Sequence, residues 1–194
     1  MFDPTADSRK PTPNPPYNTA MLSIRPATPE DIPLILEFIR ELAEYERAPE
    51  QAIARREDLL RDVWGTAPKF RVIIADWERQ PAGFALFFYN YSTWQGRLGL
   101  YLEDLFVRPA FRGRGIGKAL LVHLAKIAAN ENCGRFQWAV LDWNQPSIDF
   151  YEALGARRIS EWLIMRVEGE SLEKLAEMDL TTEDTKEHKR KAAS

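Results

Sequence analysis

Short apolar runs and helically spaced apolar positions alternate along the middle of the chain, and each implies a type of element. Leu22–Arg25 is a short strand-like run. Thr28-Pro29-Glu30-Asp31 marks a helix start: a capping threonine, a proline where a missing N–H costs nothing, and acids in the first turn. Ile32, Ile35, Leu36, Ile39 and Leu42 continue it at helical spacing. A second helix is expected over Ala54–Trp64, stopped by Gly65 and Pro68. Phe70–Asp76 reads as a strand and Glu78–Pro81 as a turn. Ala82–Tyr91 is apolar on both faces, as a buried strand would be. Gly99–Val107 and Arg135–Leu141 are two further strands, with Gly134 ending the helix between them. No segment repeats.

The ends differ from this pattern. Met1–Ala20 holds five of the thirteen prolines and no apolar run of the kind a secretory signal has, so it is expected to be a disordered leader, with Met21 opening the first strand. Asp179–Ser194 is expected to be a flexible charged tail, since its Lys189-Arg190-Lys191 cluster is too short for a nucleic-acid patch. Residues 21–178 then form a single domain, a usual size for one core. Composition narrows the chemistry. A net charge of −3 leaves no basic footprint for nucleic acid and suits a neutral or cationic ligand. No apolar run is long enough for a membrane helix. One cysteine, Cys133, and two histidines are too few for a disulfide framework or a usual metal site, and the expected location is cytoplasmic.

The stretch from Leu105 to Leu121 carries the chemistry. It is a strand, then Arg112-Gly113-Arg114-Gly115-Ile116-Gly117-Lys118, then an amphipathic helix with Ile116, Leu120, Leu124 and Ile127 on one side. Such a turn presents bare backbone N–H groups and a positive dipole end to an anion. It is not a Walker A loop, which needs Gly at 112 and Ser or Thr at 119, where this chain has Arg112 and Ala119. Nor is it a dinucleotide fingerprint, which after Gly113 and Gly115 needs Gly where Lys118 stands. About thirty residues on, Asn144-Gln145-Pro146-Ser147-Ile148-Asp149-Phe150-Tyr151 starts a short helix capped by Asn144 or Gln145 and ended at Gly155.

An Arg-x-x-Gly-x-Gly turn followed by Asn-x-Pro-Ser-x-x-Phe-Tyr resembles the GNAT superfamily of acetyl-CoA-dependent N-acetyltransferases. Ile24–Thr28, Glu41–Glu46, Tyr101–Val107 and Trp143–Ile148 are similar, more closely, to the diamine (spermidine/spermine) and thialysine N-acetyltransferases. The resemblance spans nearly all of residues 22–167. It implies an α/β fold with a twisted, mixed, mostly antiparallel sheet of six to seven strands and helices on both faces. Two central strands, here near Gly99–Val107 and Arg135–Leu141, would splay to admit the pantetheine arm. It also implies acetyl-CoA as acetyl donor, a small amine as acceptor, and a homodimer.

The reaction so implied sets tasks for particular residues. An alkylammonium, pKa about 10, must lose a proton before it can attack a thioester, and a carboxylate is a natural acceptor for it. The resemblance assigns this to Glu103; Asp104, on the opposite face of a regular strand, is given no role. Tyr151 matches the family's tyrosine beside the thioester sulfur. A phenol, pKa about 10, is a weaker acid than a thiol at about 8.5, so hydrogen-bond stabilisation of the leaving thiolate is expected at least as much as full proton transfer. For the cofactor, the backbone of Leu105, Phe106 and Val107 is expected to pair with the pantetheine amides. The turn through Arg112, Gly113, Arg114, Gly115, Ile116, Gly117 and Lys118 would hold the pyrophosphate, and Asn144, Pro146 and Ser147 would line the pantetheine path. For the acceptor the match implies Tyr45 and Glu46, with Gln137, Trp138, Ala139 and Glu161; Glu41, Glu44 and Glu50 add negative charge nearby. Asp149, which stands where the family commonly has Asn, and the loosely matching Arg157–Trp162 leave the acceptor open. A protein lysine or N-terminal acetyltransferase and a non-catalytic CoA-binding module are the other readings.

Overall fold

The computed structural model describes residues Met21–Met178; the expected leader and tail lie outside the described residues. These residues fall into two compact units that divide at Leu141/Asp142.

The first unit is a five-stranded sheet with helices on both faces. Its strands are β1 (Leu22–Pro26), β2 (Arg71–Trp77), β3 (Gln80–Ser92), β4 (Arg97–Val107) and β5 (Arg135–Trp138), in spatial order β1-β2-β3-β4-β5. The first four run antiparallel and β5 pairs parallel to β4. Between β1 and β2 lie α1 (Ile32–Tyr45) and α2 (Arg56–Trp64); α3 (Ile116–Asn130) crosses from β4 to β5. A single-turn helix at Pro29–Asp31 precedes α1, and Asp31 bonds back to the Thr28 N–H at 2.8 Å, the start that the Thr-Pro-Glu-Asp run foretells.

The core under α1 and α2 gathers Ile32, Ile35, Phe38, Leu59, Val72, Phe84, Leu86 and Phe106. Phe38 stacks on Phe84 at 5.2 Å and meets Phe106 edge-on at 6.4 Å. Each such ring, fully buried, contributes about 1.5–3 kcal/mol by removal from water. The apolar side of α3 (Ile116, Leu120, Leu124) is fully buried and packs on the sheet.

In the second unit α4 (Gln145–Ala153) and α5 (Glu170–Ala176) are the helices. The sheet has five strands among the described residues, not six to seven: Arg157–Val167 pairs with no other strand, and a strand exists only within a ladder. Trp162, Leu163, Ile164 and Met165 in that stretch are two-thirds or more exposed. The strand expected to reach Leu141 ends at Trp138.

Candidate active site

β4 is irregular at the residues that matter. Leu86 faces Asp104 and Phe87 faces Leu102, so Glu103 is an extra residue with no partner on β3. Leu86 and Phe87 point to opposite faces of the sheet, hence so do Leu102 and Asp104. In an unbroken strand these two would share a face. The pairing of β4 with β5 stops at Leu102 and Trp138, immediately before the bulge. From Asp104 to Val107, therefore, β4 has a strand partner only on its β3 side among the described residues. The expected splay of these two strands corresponds to this end of the ladder, and Leu105–Val107 has no strand ladder on that side among the described residues.

The bulge also changes which carboxylate is singled out. Asp104 sits opposite Leu86, on the face covered by α1 and α2, and its pKa is pushed up to about 7. Burial is the main cause, and the charges of Glu103 and Glu46 add to it. Burial raises Glu46 as well. The expectation that gave Asp104 no role assumed a regular strand, and β4 is bulged at this point. Two successive acids inside an apolar strand were the available signal, because a regular pleat forces one of them inward. Glu103 itself is exposed.

Beyond Val107 the chain makes a single helical turn at Pro109–Phe111 and then the glycine turn into α3. Gly113 and Gly115 have φ of +75° and +80°, left-handed values that a side chain disfavours. A Cβ on Gly113 would meet nothing within 4 Å, so the turn is open on that side. The first hydrogen bond of α3 runs from the Ala119 N–H to the Gly115 carbonyl at 2.9 Å. The N–H groups of Ile116, Gly117 and Lys118 thus have no acceptor within the helix and stand at its positive end. That set of donors fits a pyrophosphate.

The other expected residues are placed as follows. Tyr45 is the last residue of α1 and Glu46 the one after it. Glu41 is committed elsewhere: its carboxylate is bound by Arg108, at 2.7 Å, so it does not add to a free acidic stretch. Gln137 and Trp138 are half-buried on β5, and Ala139 follows its end, exposed. In the second unit Asn144 is buried and caps α4, accepting from the Ser147 N–H at 3.4 Å, with Pro146 in the first turn. Tyr151 is half-buried on α4, its ring 5.3 Å from that of Phe150. Gly155 follows the helix at φ +92°. Glu161 is exposed.

Comparison with known proteins gives the family and the fold. Residues 35–156 match the model of the acetyltransferase (GNAT) family. The chain is 39% identical over 168 residues to a thialysine N-epsilon-acetyltransferase of Bos taurus, covering 81% of this chain and 98% of the relative. It is 30% identical over 202 residues to an L-ornithine N5-acetyltransferase of Arabidopsis thaliana, covering 81% and 89%. An integron cassette protein from V. cholerae has a solved structure that superposes with a TM-score of 0.70 at 30% identity, over 81% of this chain and 99% of that one. The chain belongs to the GNAT family. It is an N-acetyltransferase that acts on amine acceptors.

Proposed function

We propose that the enzyme moves an acetyl group from acetyl-CoA directly to a primary amine of a small cationic acceptor, a polyamine, diamine or thialysine-like molecule, with both substrates bound together. The observation that carries this reading is the carboxylate group around the β4 bulge. The charges of Glu103 and Glu46 both bear on Asp104, and no ion pair to Asp104 occurs among the described residues. An ammonium group supplies the missing counter-charge.

Acetyl-CoA supplies the acetyl thioester, and CoA leaves as the thiol. The residues of this chain do the rest. The N–H groups from Gly113 to Lys118 hold the pyrophosphate, and the open edge at Leu105–Val107 orients the pantetheine arm. Asn144, Pro146 and Ser147 line its path. Glu46 and Asp104 hold the acceptor's charge, with Tyr45, Gln137, Trp138, Ala139 and Glu161 around it. Glu103 takes one proton from the ammonium, freeing the lone pair that attacks. The Tyr151 hydroxyl donates a hydrogen bond to the departing sulfur, which ends with the nitrogen's second proton. A cytoplasmic homodimer goes with this reading. The exposed apolar run Trp162–Met165 supports the second copy, because such a run in water favours burial against another surface.

The direct test is thiol release from acetyl-CoA with polyamines, diamines, thialysine, ornithine and lysine peptides. The small amines are expected to exceed the peptides in kcat/KM by about 10-fold or more, about 1.4 kcal/mol, because each carries a second ammonium for the carboxylates that a lysine side chain within a peptide lacks. Peptides acetylated faster than every small amine would overturn the reading.

A second test isolates the turn. Gly115→Val puts a branched side chain at φ +80°, beside the N–H donors. It is expected to raise the KM for acetyl-CoA far more than that for the amine. Equal effects on both in initial-rate kinetics would remove the pyrophosphate from this turn.

A further inference from the structure

The side chain of Arg112, expected from its place in the motif to serve the pyrophosphate, is engaged in another direction. Its Nε donates to the Val107 carbonyl at 2.9 Å. Its guanidinium lies over the ring of Tyr45, 4.8 Å from the centroid, and 5.8 Å from that of Phe106. Four residues earlier Arg108 makes a parallel attachment to α1. Its Nη2 binds Glu41 at 2.7 Å and Glu37 at 2.8 Å, its Nε donates to Glu41 at 2.9 Å, and its guanidinium covers Phe38 at 4.6 Å. Arg108 is 22% exposed and also reaches the Pro81 carbonyl, at 3.3 Å, so it is a well-seated anchor.

The spacing explains why both contacts form. Glu41 and Tyr45 are one α-helical turn apart and so lie on one face of α1. Arg108 and Arg112 are separated by the single helical turn at Pro109–Phe111. Two arginines at the end of β4 thus meet two successive turns of α1 like rungs. The inner rung, Arg108–Glu41, is an ion pair with fork geometry. The outer rung, Arg112–Tyr45, is a cation–π contact, in which a guanidinium has a flat face to offer the ring where an ammonium has only a point charge. The outer rung ends at the residue adjoining Glu46, whose charge bears on Asp104.

We propose that Arg112 is a positioning residue for the acceptor: by stacking on Tyr45 it fixes the Tyr45–Glu46 end of α1 against β4, with Arg108–Glu41 as the anchor behind it. This rests on the function proposed above, and it reassigns a residue of the cofactor motif to the amine. The pyrophosphate is held by backbone N–H groups, so it does not require the Arg112 side chain.

The test is Arg112→Ala, Arg112→Lys, Tyr45→Leu and the Arg112→Ala/Tyr45→Leu pair in the full chain. Arg112→Ala is expected to raise the KM for the amine by about 3- to 30-fold, the span of a cation–π contact from exposed to desolvated settings. The Kd for CoA, read by calorimetry, is expected to stay within about 2- to 3-fold, as for loss of a distant surface charge. Arg112→Lys keeps the charge but not the plane and is expected to follow Arg112→Ala on the amine. The double variant is expected to be no worse than the poorer single, since both remove one contact. Amide hydrogen exchange without ligand is expected to quicken in the segment 41–48 of Arg112→Ala and of Tyr45→Leu.

A CoA Kd that rises 10-fold or more, with the amine KM unchanged, would return Arg112 to the pyrophosphate and overturn the proposal. So would multiplicative effects in the double variant, or exchange in 41–48 that does not change. Wild-type protein that binds CoA but acetylates no amine would overturn the proposed function instead, and the exchange measurement would still decide the rung.

Discussion

Tyr151→Phe is expected to lower kcat by about 10²-fold or more, the lower end of the scale for a positioned acid, while the Kd for CoA and the Tm stay close to wild type. The ring is half-buried on α4 and packs beside Phe150 at 5.3 Å, a contact that phenylalanine keeps. What goes is one hydroxyl. On the proposed mechanism its value lies in the transition state, where the sulfur gathers negative charge, and not in the ground state, where the thioester is neutral. Loss of kcat with little change in either KM is the signature of such a group. Initial rates over both substrates, with calorimetry for CoA, check it. An unchanged kcat with a raised KM for acetyl-CoA would make Tyr151 a packing residue of the cofactor path.

The carboxylates of β4 are expected to separate in their pH dependence. On the mechanism proposed above, Glu103→Gln removes the proton acceptor. Its deficit in kcat/KM shrinks as pH rises toward about 10, where the amine loses its proton unaided. Asp104→Asn behaves in the opposite sense. Asp104 titrates near 7, so at lower pH the wild type already holds it neutral, and an amide changes little. As pH rises through 7 the wild type gains a negative charge for the ammonium and draws ahead, by about 10-fold for 1.4 kcal/mol of charge contact. The acid limb near pH 7 in the wild-type profile is therefore missing from Asp104→Asn.

Stability gives a second readout of the same group. A carboxyl raised from 3.8 to about 7 binds its proton more tightly in the folded chain than in the unfolded one. Its contribution is fully present below the unfolded pKa and is lost as pH rises through the folded one. Asp104→Asn should thus raise the Tm at pH 8 by a few degrees and leave it unchanged near pH 4, about 1 kcal/mol being worth about 2–4 °C in a domain of this size. Parallel kcat/KM profiles for the two carboxylate variants, or a Tm difference independent of pH, would refute the division of labour between Glu103 and Asp104.

Local chemistry carries far in this chain. The Thr28–Asp31 start, the apolar spacing of α1, the turn to α3 with its two left-handed glycines, and the Asn144 cap of α4 are each decided by residues within a few positions of one another. Such preferences are readable from the sequence because backbone sterics and helix-end hydrogen bonds act over that same short range. The family's two motifs are of this kind, which is why the class of reaction is legible without coordinates. Asp104 and Arg112 are of the other kind. Alternation places Asp104 on the wrong face, because a bulge is a mismatch between two strands, and Glu103 becomes the extra residue only when β4 is laid against β3. Arg112 belongs to a cofactor motif by its neighbours in sequence, but its contact with Tyr45 joins positions 67 residues apart. The third case is the strand number: six to seven are expected and five form among the described residues, since a strand needs a partner edge that no stretch of sequence supplies by itself. The sequence by itself determined most of the elements, the glycine turn into α3 and the reaction class. Which carboxylate feels its neighbours, and which aromatic ring Arg112 lies over, only the tertiary structure decided, because burial and charge proximity depend on what the fold brings beside each group.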